Sequence, residues 1–299
     1  MMPPRMYTDH RDPIAMLPIG FAPDSERVRL KILSYNIQVG IAAQRYRHYL
    51  TNSWKHFLPY GGRLDNLDSI ARFINAFDIV GLQELDAGSL RSNFINLAEY
   101  LAQRAAFPHW YHRTNRNLGQ LAKHSLGLLS RYQPHTVIAH KLPSSIPGRG
   151  ALEAHFGNPY TGQTLVVVLV HLSLGRRSRR MQLEYIAEVL REHQHVVVMG
   201  DMNTPAHSTE IQRLLYTTGL QSPSTLSNTY PSWRPQQALD YILCTPGLEI
   251  TQARAYNVNY SDHLPISVEI LLPAEFSLSD TASLATRVPP PSYMDSRYA

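Results

Sequence analysis

Six times along this chain a short apolar run gives way at once to a residue suited to metal or proton chemistry. Lys31 to Tyr35 ends in Asn36, and Asp78 to Leu82 ends in Gln83-Glu84. Leu165 to Val170 ends in His171, and Val196 to Gly200 ends in Asp201-Met202-Asn203. The segment up to Leu239 runs into Asp240, and Asp262-His263 follows Ser261. Loops at the ends of strands on a rigid sheet are where sites are built. Each occurrence also has a plainer reading. An Asn after a strand is a turn residue, Asp-x-Asn before Thr-Pro can cap a following helix near Ser208, and a lone His can be a satisfied core residue. Six together at strand ends outweigh those separate explanations.

The residue types agree on one chemistry. Asn36, Glu84, Asp201, Asn203 and Asp262 offer oxygen ligands, which suit Mg²⁺ or Mn²⁺ and disfavour zinc. In an extended chain Asp201 and Asn203 point to one side and can share a ligand. Magnesium binds through one or two carboxylates plus substrate phosphate, an arrangement that serves phosphoryl transfer to water. Other chemistries find no support. There is no Gly-x-x-x-x-Gly-Lys-Ser/Thr loop and no His-Glu-x-x-His pair. His171-Leu172-Ser173-Leu174-Gly175 has His where a nucleophile elbow needs its first glycine.

These residues need strands to position them. Apolar runs predict strands at Arg29–Tyr35, Ile79–Gln83, Ser125–Ser130, Thr136–Leu142, Leu165–Val170, Val196–Met199, Leu239–Cys244, Ile250–Tyr256 and Ile266–Leu271. Helical spacing joins Leu64, Leu67, Ile70, Ala71 and Ile74, and again Leu183, Ile186, Ala187 and Leu190. A third helix is expected from Leu90 to Arg104. Strands outnumber helices, and several connections are too short for a crossover helix. Two packed mixed sheets with helices outside therefore fit better than a βαβ barrel.

Composition bounds the rest. The chain has 299 residues, of which 43% are hydrophobic and 17% charged, enough to bury a sizeable core without covalent staples. With one cysteine, Cys244, neither an intrachain disulfide nor a Cys-rich zinc site can form. The expected organisation is a flexible N-terminal segment over 1–27, one folded domain over 28–272 and a flexible Pro/Ser-rich tail over 273–299. No targeting segment is read at the N-terminus, and the expectation is a soluble, cytoplasmic protein.

The formal net charge is +5, and its distribution says more. Between Tyr100 and Leu152 stand seven basic residues, Arg131 and Arg149 among them, and no Asp or Glu. Arg176-Arg177-Ser178-Arg179-Arg180 follows His171 and opens a helix, a favourable place for an anion. Arg131, Arg176 and Arg177 are the candidates for holding substrate phosphate.

The segments Ser34-Tyr35-Asn36, Val80-Gly81-Leu82-Gln83-Glu84, Leu128-Leu129-Ser130-Arg131-Tyr132, Val170-His171-Leu172, Gly200-Asp201-Met202-Asn203-Thr204, Leu239-Asp240-Tyr241-Ile242 and Ser261-Asp262-His263-Leu264-Pro265 resemble, in order, those of the endonuclease/exonuclease/phosphatase superfamily. The chain looks closest to bacterial members with His-Leu-Ser-Leu-Gly followed by arginines. The resemblance covers Lys31 to Leu271 and implies a DNase I-like, four-layer α/β sandwich with a Mg²⁺- or Mn²⁺-dependent phosphoesterase activity. It implies that Glu84 is the main metal carboxylate, with Asn36 beside it and Asp262 in support. Asp201 would orient or activate the attacking water, and Asn203 would hold the phosphate. His263 would act on the scissile phosphate or as general base, with Asp240 orienting its ring. His171 would stabilise a non-bridging oxygen or assist the leaving group.

Substrate is the open question. Arg45 to Gly61 interleaves Tyr46, Tyr49, Trp54, Phe57 and Tyr60 with basic residues, a composition that can stack nucleobases, lie at a membrane interface or pack inward as a helix. The leading expectation is a phosphodiester hydrolase acting on nucleic acid. Phospholipid, inositol or small-headgroup diesters are the alternative substrates, with peripheral membrane contact. A non-catalytic phosphate-binding protein is the third reading. No obligate protein partner is implied.

Overall fold

The computed structural model describes residues 27–40, 62–144, 148–223, 227–276 and 278. The aromatic-basic segment Arg45 to Gly61, nearly all of 1–27 and most of 273–299 lie outside the described residues. Four α-helices are described: α1 (Gly62–Ile74), α2 (Leu97–Arg104), α3 (Arg176–Leu190) and α4 (Thr209–Thr218). The strands are β1 (Arg29–Asn36), β2 (Ile79–Asp86), β3 (His109–Asn117), β4 (Lys123–Ser130), β5 (Thr136–Lys141) and β6 (Gly150–Asn158). They continue with β7 (Gln163–His171), β8 (His195–Asp201), β9 (Asp240–Cys244), β10 (Glu249–Ala255) and β11 (Ile266–Leu271).

The strands form a six-stranded sheet, β10-β11-β1-β2-β4-β3, and a five-stranded sheet, β5-β6-β7-β8-β9. Each is mixed, with a single parallel pair, β1 with β2 and β7 with β8. The apolar side chains sort these elements into layers. Leu30 and Ile32 of β1 meet Leu165, Val167 and Leu169 of β7 and Val197 and Met199 of β8 between the sheets. Leu33, Tyr35, Val80 and Leu82 point the other way, onto Leu67, Ile70 and Ile74 of α1 and Leu97 and Leu101 of α2. Val166, Val168 and Val170 pack beneath Leu183, Ile186 and Leu190 of α3 and Ile211 and Leu214 of α4. The order helices, sheet, sheet, helices is the expected four-layer sandwich. Strands such as β7 are buried on both faces, which is why they read as unbroken apolar runs. Each fully buried Leu, Ile or Val side chain contributes about 1.5–3 kcal/mol.

Differences from the sequence reading have local causes. The helix expected from Leu90 begins at Leu97 instead. Asn93 adopts a left-handed conformation with φ 54°, and Asn96 caps the helix by accepting from the Ala98 N–H at 3.1 Å. Strands β3 and β6 were not foreseen. The sequence of β3, HWYHRTNRN, is polar because it lies at the sheet edge. In β6, Ala, Glu and His fill positions where β-branched residues would have announced a strand. Beyond β11, Phe276 is buried against the His195 ring, centroids 5.1 Å apart. No helix among the described residues is long and apolar enough to cross a membrane.

Candidate active site

The topology explains why distant residues converge. In a parallel pair both C-terminal ends lie at one edge, so Asn36 pairs with Gln83 beside Glu84, and His171 pairs with Asp201. An antiparallel neighbour brings its start to the same edge. Asp240 at the head of β9 pairs with Asp201, and β11 begins opposite Ser34, placing Asp262 and His263 just beyond it.

Local backbone then aims the side chains. The pairing of β2 with β4 shifts between Leu82 and Leu85, and Glu84 inside that bulge has φ 56°. Such a conformation in a non-glycine residue costs about 1–3 kcal/mol and is typical of residues fixed for function. After it, Asp86 accepts from the Ser89 N–H and hydroxyl, Ser92, Arg91 and the Lys123 N–H, clamping the end of β2. Before Asp201, Gly200 has φ 140°, and a Cβ there would sit 1.9 Å from the Val170 carbonyl oxygen. Only glycine lets β8 lie this close to β7 at the site.

The side chains form a connected network. Asn36 donates to Asp201 Oδ2 at 3.1 Å and reaches Glu84 Oε1 at 3.4 Å. His171 Nε2 stands 3.6 Å from Asp201 Oδ2 and 3.9 Å from Glu84 Oε1. His263 Nδ1 is 2.8 Å from Asp240 Oδ2, which also accepts from Thr229 Oγ1 at 2.5 Å. The other nitrogen, Nε2, is 3.8 Å from Asp201 Oδ2. Asp262 accepts from Ser261 Oγ at 3.2 Å. All of these groups are buried except Glu84, whose side chain is 35% exposed and so faces the opening. Asn203 is not extended beyond Asp201 as expected. Its φ is 51°, its N–H donates to Asp201 Oδ1 at 2.9 Å, and its side-chain amide donates to the Leu172 carbonyl at 3.0 Å. It locks the turns after His171 and Asp201 together.

Burial and charge separate the two histidines. Burial alone would lower His263, but Asp240 and Asp201 outweigh it and hold the imidazole well above its ordinary value, charged at neutral pH. Burial depresses His171, and Arg149 and His263 depress it further, so it stays neutral. Burial raises the Asp201 carboxyl, and Asp240 and Glu84 add to the rise against the opposing pull of His263. Asp262 is pushed up to about 6 by burial, with Glu84 adding to the rise.

This crowding of acids is the condition a divalent cation relieves. Glu84, Asp262 and the Asn36 amide, whose oxygen accepts from the Gln38 N–H at 3.2 Å, carry hard oxygens of the kind such an ion takes. Asp201, Asp240 and His263 also bring ligand atoms within 4.8 Å of one another.

Three expected phosphate ligands are elsewhere, for physical reasons. Arg131 follows β4 at the end away from the site. Its guanidinium is spent on the Phe77 carbonyl at 3.0 Å and the Asn75 carbonyl, and stacks on the Phe107 ring at 4.9 Å. Arg176 turns toward α4, donating to Thr209 Oγ1 at 2.9 Å. Arg177 lines the same outer groove between α3 and α4. The turn they belong to does reach the site, but through Gly175 and Ser178. The cations that do line the ≈ 410 Å³ cleft beside Glu84 and His171 are Arg116 and Arg149, with His124 next to them. Burial lowers Arg149, and the negative charges of Glu84 and Asp201 partly restore it. Burial also lowers His124, to about 4, so it is neutral. The sequence signal for the two arginines was the basic stretch free of Asp and Glu. What it lacked was which of its members face the cleft.

The family model described as "Endonuclease/Exonuclease/phosphatase family" matches residues 33–263, well over half of the chain. No curated relative matches the sequence. Solved structures share the fold. An endonuclease/exonuclease/phosphatase family protein from Bacteroides thetaiotaomicron is 16% identical, with TM-score 0.63 over 82% of this chain and 98% of its own. A mannosyl-6-phosphatase from Bacteroides thetaiotaomicron VPI-5482 is 16% identical, with TM-score 0.60 over 81% of this chain and 99% of its own. A humanized TDP2 of D. rerio is 16% identical, with TM-score 0.57 over 81% and 98%.

Proposed function

Since the chain belongs to the endonuclease/exonuclease/phosphatase family, we propose that it is a divalent-metal-dependent phosphodiester hydrolase in which water attacks phosphorus directly. One observation carries this reading: His263 and His171 flank buried Asp201, and the group opens beside Glu84 onto a cleft lined by Arg116 and Arg149. Two titratable groups of one kind driven apart by their surroundings mark an acid–base site.

Glu84, Asp262 and Asn36 would hold Mg²⁺ or Mn²⁺. When bound, the ion supplies charge neutralisation on the phosphoryl oxygens and polarises the leaving oxygen. The chain does the rest. Asp201, raised by burial, accepts the proton of the attacking water as its oxygen bonds to phosphorus. The opposite P–O ester bond breaks, and the His263 imidazolium protonates the leaving alkoxide. Asp240 fixes the His263 ring so that Nε2 faces the reacting groups. Neutral His171 hydrogen-bonds a non-bridging oxygen. Arg149 and Arg116 bind the flanking part of the substrate.

The test is hydrolysis of bis(p-nitrophenyl) phosphate with Mg²⁺, Mn²⁺ or EDTA, for wild type and Asp201→Asn. Metal-dependent turnover lost in the variant supports the reading. Turnover unaffected by EDTA or by the substitution overturns it. A second reading, cleavage of a small phosphoester such as a sugar or headgroup phosphate, is favoured by the cleft volume, which lies in the range of small-ligand sites. Preference for p-nitrophenyl phosphate over the diester selects it. Nucleic acid as substrate instead requires binding that weakens steeply with salt.

A further inference from the structure

On the outer face of the five-stranded sheet lies a second cluster of ligating side chains that the phosphoester site does not use. The alternation of β6 puts Glu153 and His155 on one face, opposite Val168 and Val166 of β7, the face covered by α3. The chain leaving α3 turns back through His193, whose N–H donates to the Leu190 carbonyl at 3.0 Å. Glu153 Oε1 is thereby approached by His155 Nε2, in a short contact, and by His193 Nε2 at 3.7 Å. The three ligand atoms all lie within 4.8 Å of one another.

We propose that Glu153, His155 and His193 form a zinc site, which ties the turn after α3 to strand β6. Two imidazole nitrogens and one carboxylate oxygen are a donor set that zinc takes in tetrahedral geometry, with water in the fourth position. Mg²⁺ disfavours imidazole, so this site and the oxygen-rich one beside Glu84 select different ions. A tetrahedral ion needs its ligands about 3.3 Å apart, so His155 would draw back from its short contact with Glu153 and His193 would move in slightly from 3.7 Å.

The surroundings match such a site. The second oxygen of Glu153 is engaged by His140 Nε2 at 2.7 Å, and His140 Nδ1 contacts the Tyr185 hydroxyl of α3 at 3.0 Å. This outer shell orients the ligating carboxylate, as metal sites require. Glu153 is 2% exposed. His193 keeps a quarter of its side chain exposed, which leaves an entry path. Glu153 pairs with Val168, three residues before His171, so the two sites are about 10 Å apart along the strand.

The test uses the full chain stripped of metal. Zinc is titrated by calorimetry into wild type, Glu84→Gln and His193→Ala, and Co²⁺ is added as a spectroscopic probe. Circular dichroism checks folding, and His155→Asn serves as the second ligand variant. The expected result is one zinc per chain that persists in Glu84→Gln. In His193→Ala and His155→Asn it should weaken at least about tenfold. The cobalt protein should show the intense visible absorption of a tetrahedral centre, lost in the same variants. Unchanged zinc affinity in His193→Ala and His155→Asn, loss of zinc in Glu84→Gln, or a cobalt spectrum without tetrahedral bands would each overturn the assignment. None of these outcomes depends on phosphoesterase activity.

Discussion

The Asn36 side-chain amide donates to Asp201 Oδ2 at 3.1 Å, across the interface between the two sheets. Asn36 ends β1 of the six-stranded sheet and Asp201 ends β8 of the five-stranded one. Both are essentially buried, so the bond sets the distance between the half of the site that carries Glu84 and the half that carries the histidines. A buried hydrogen bond to a charged group contributes about 1.5–3 kcal/mol, and leaving its partner unsatisfied costs a similar amount. Asn36→Ala should therefore lower turnover more than a change at the cleft rim, and Asn36→Asp should not rescue it, because it adds another acid to a crowded set.

Glu84→Ala should reduce metal-dependent turnover by more than about 100-fold, beyond the usual effect of an outer-shell change. Its side chain is partly exposed, so the fold should survive. Steady-state kinetics with and without Mg²⁺, beside a circular dichroism spectrum, checks both halves of this expectation.

Asp240→Asn should lower kcat by about 10²–10⁴-fold. The amide removes the charge that holds His263 protonated while keeping the bulk. A loss in kcat with little change in KM identifies a group that acts on the reacting centre. Equal losses with the Thr229→Val variant, which removes the hydrogen bond to Asp240 and the weak one from the Leu239 N–H but no charge, would argue that ring orientation dominates over charge.

Arg149→Ala should raise KM about tenfold or more, since a charge-assisted hydrogen bond to phosphate is lost. Arg177→Ala should leave both constants unchanged, because Arg177 lines the outer groove between α3 and α4. Kinetics of the two variants side by side distinguishes the cleft assignment from one based on the arginine cluster.

Asp68 links α1 to α2, accepting from Arg104 Nε and Nη2 at 2.8 and 2.6 Å and from the Tyr100 hydroxyl at 2.6 Å. The bonds from Arg104, then from Tyr100, bring its carboxyl down to about 2 in the folded protein. A folded value below the unfolded one, about 3.9, means that the contribution is full above pH 4 and is lost as pH falls through 2. Thermal melts should show Asp68→Asn less stable than wild type at pH 6, with the gap closing toward pH 2.

Asp86→Ala should destabilise by about 3–5 kcal/mol, because it leaves the buried Arg91 guanidinium without its carboxylate. Urea denaturation reads this directly. The substitution also frees the end of β2 that aims Glu84, so activity should fall even under conditions where the variant is fully folded.

The candidate residue types and their order were legible in the sequence, because Asn36, Glu84, His171 and Asp201 lie at or near the ends of buried strands whose apolar runs are unmistakable. Val166 to Val170 before His171 and Val196 to Met199 before Asp201 are the plain cases. For the same reason the layered architecture followed from the pattern. Strands β3 and β6 escaped because an edge strand and a strand carrying a buried Glu153 lack that run. The spacing of residues could not say which basic side chains meet the site. Arg131, Arg176 and Arg177 sit beside motif residues in the chain, yet strand direction and helix phase carry them onto backbone carbonyls or into an outer groove. Arg149, just before β6, and Arg116 of β3 reach the cleft only because those strands lie where the sheets place them. Side-chain chemistry and strand periodicity are local properties, written residue by residue. Which charges face one another across a cleft, and which histidine is thereby kept protonated, depends on distances between segments far apart in the chain, and only the packed sheets determine these.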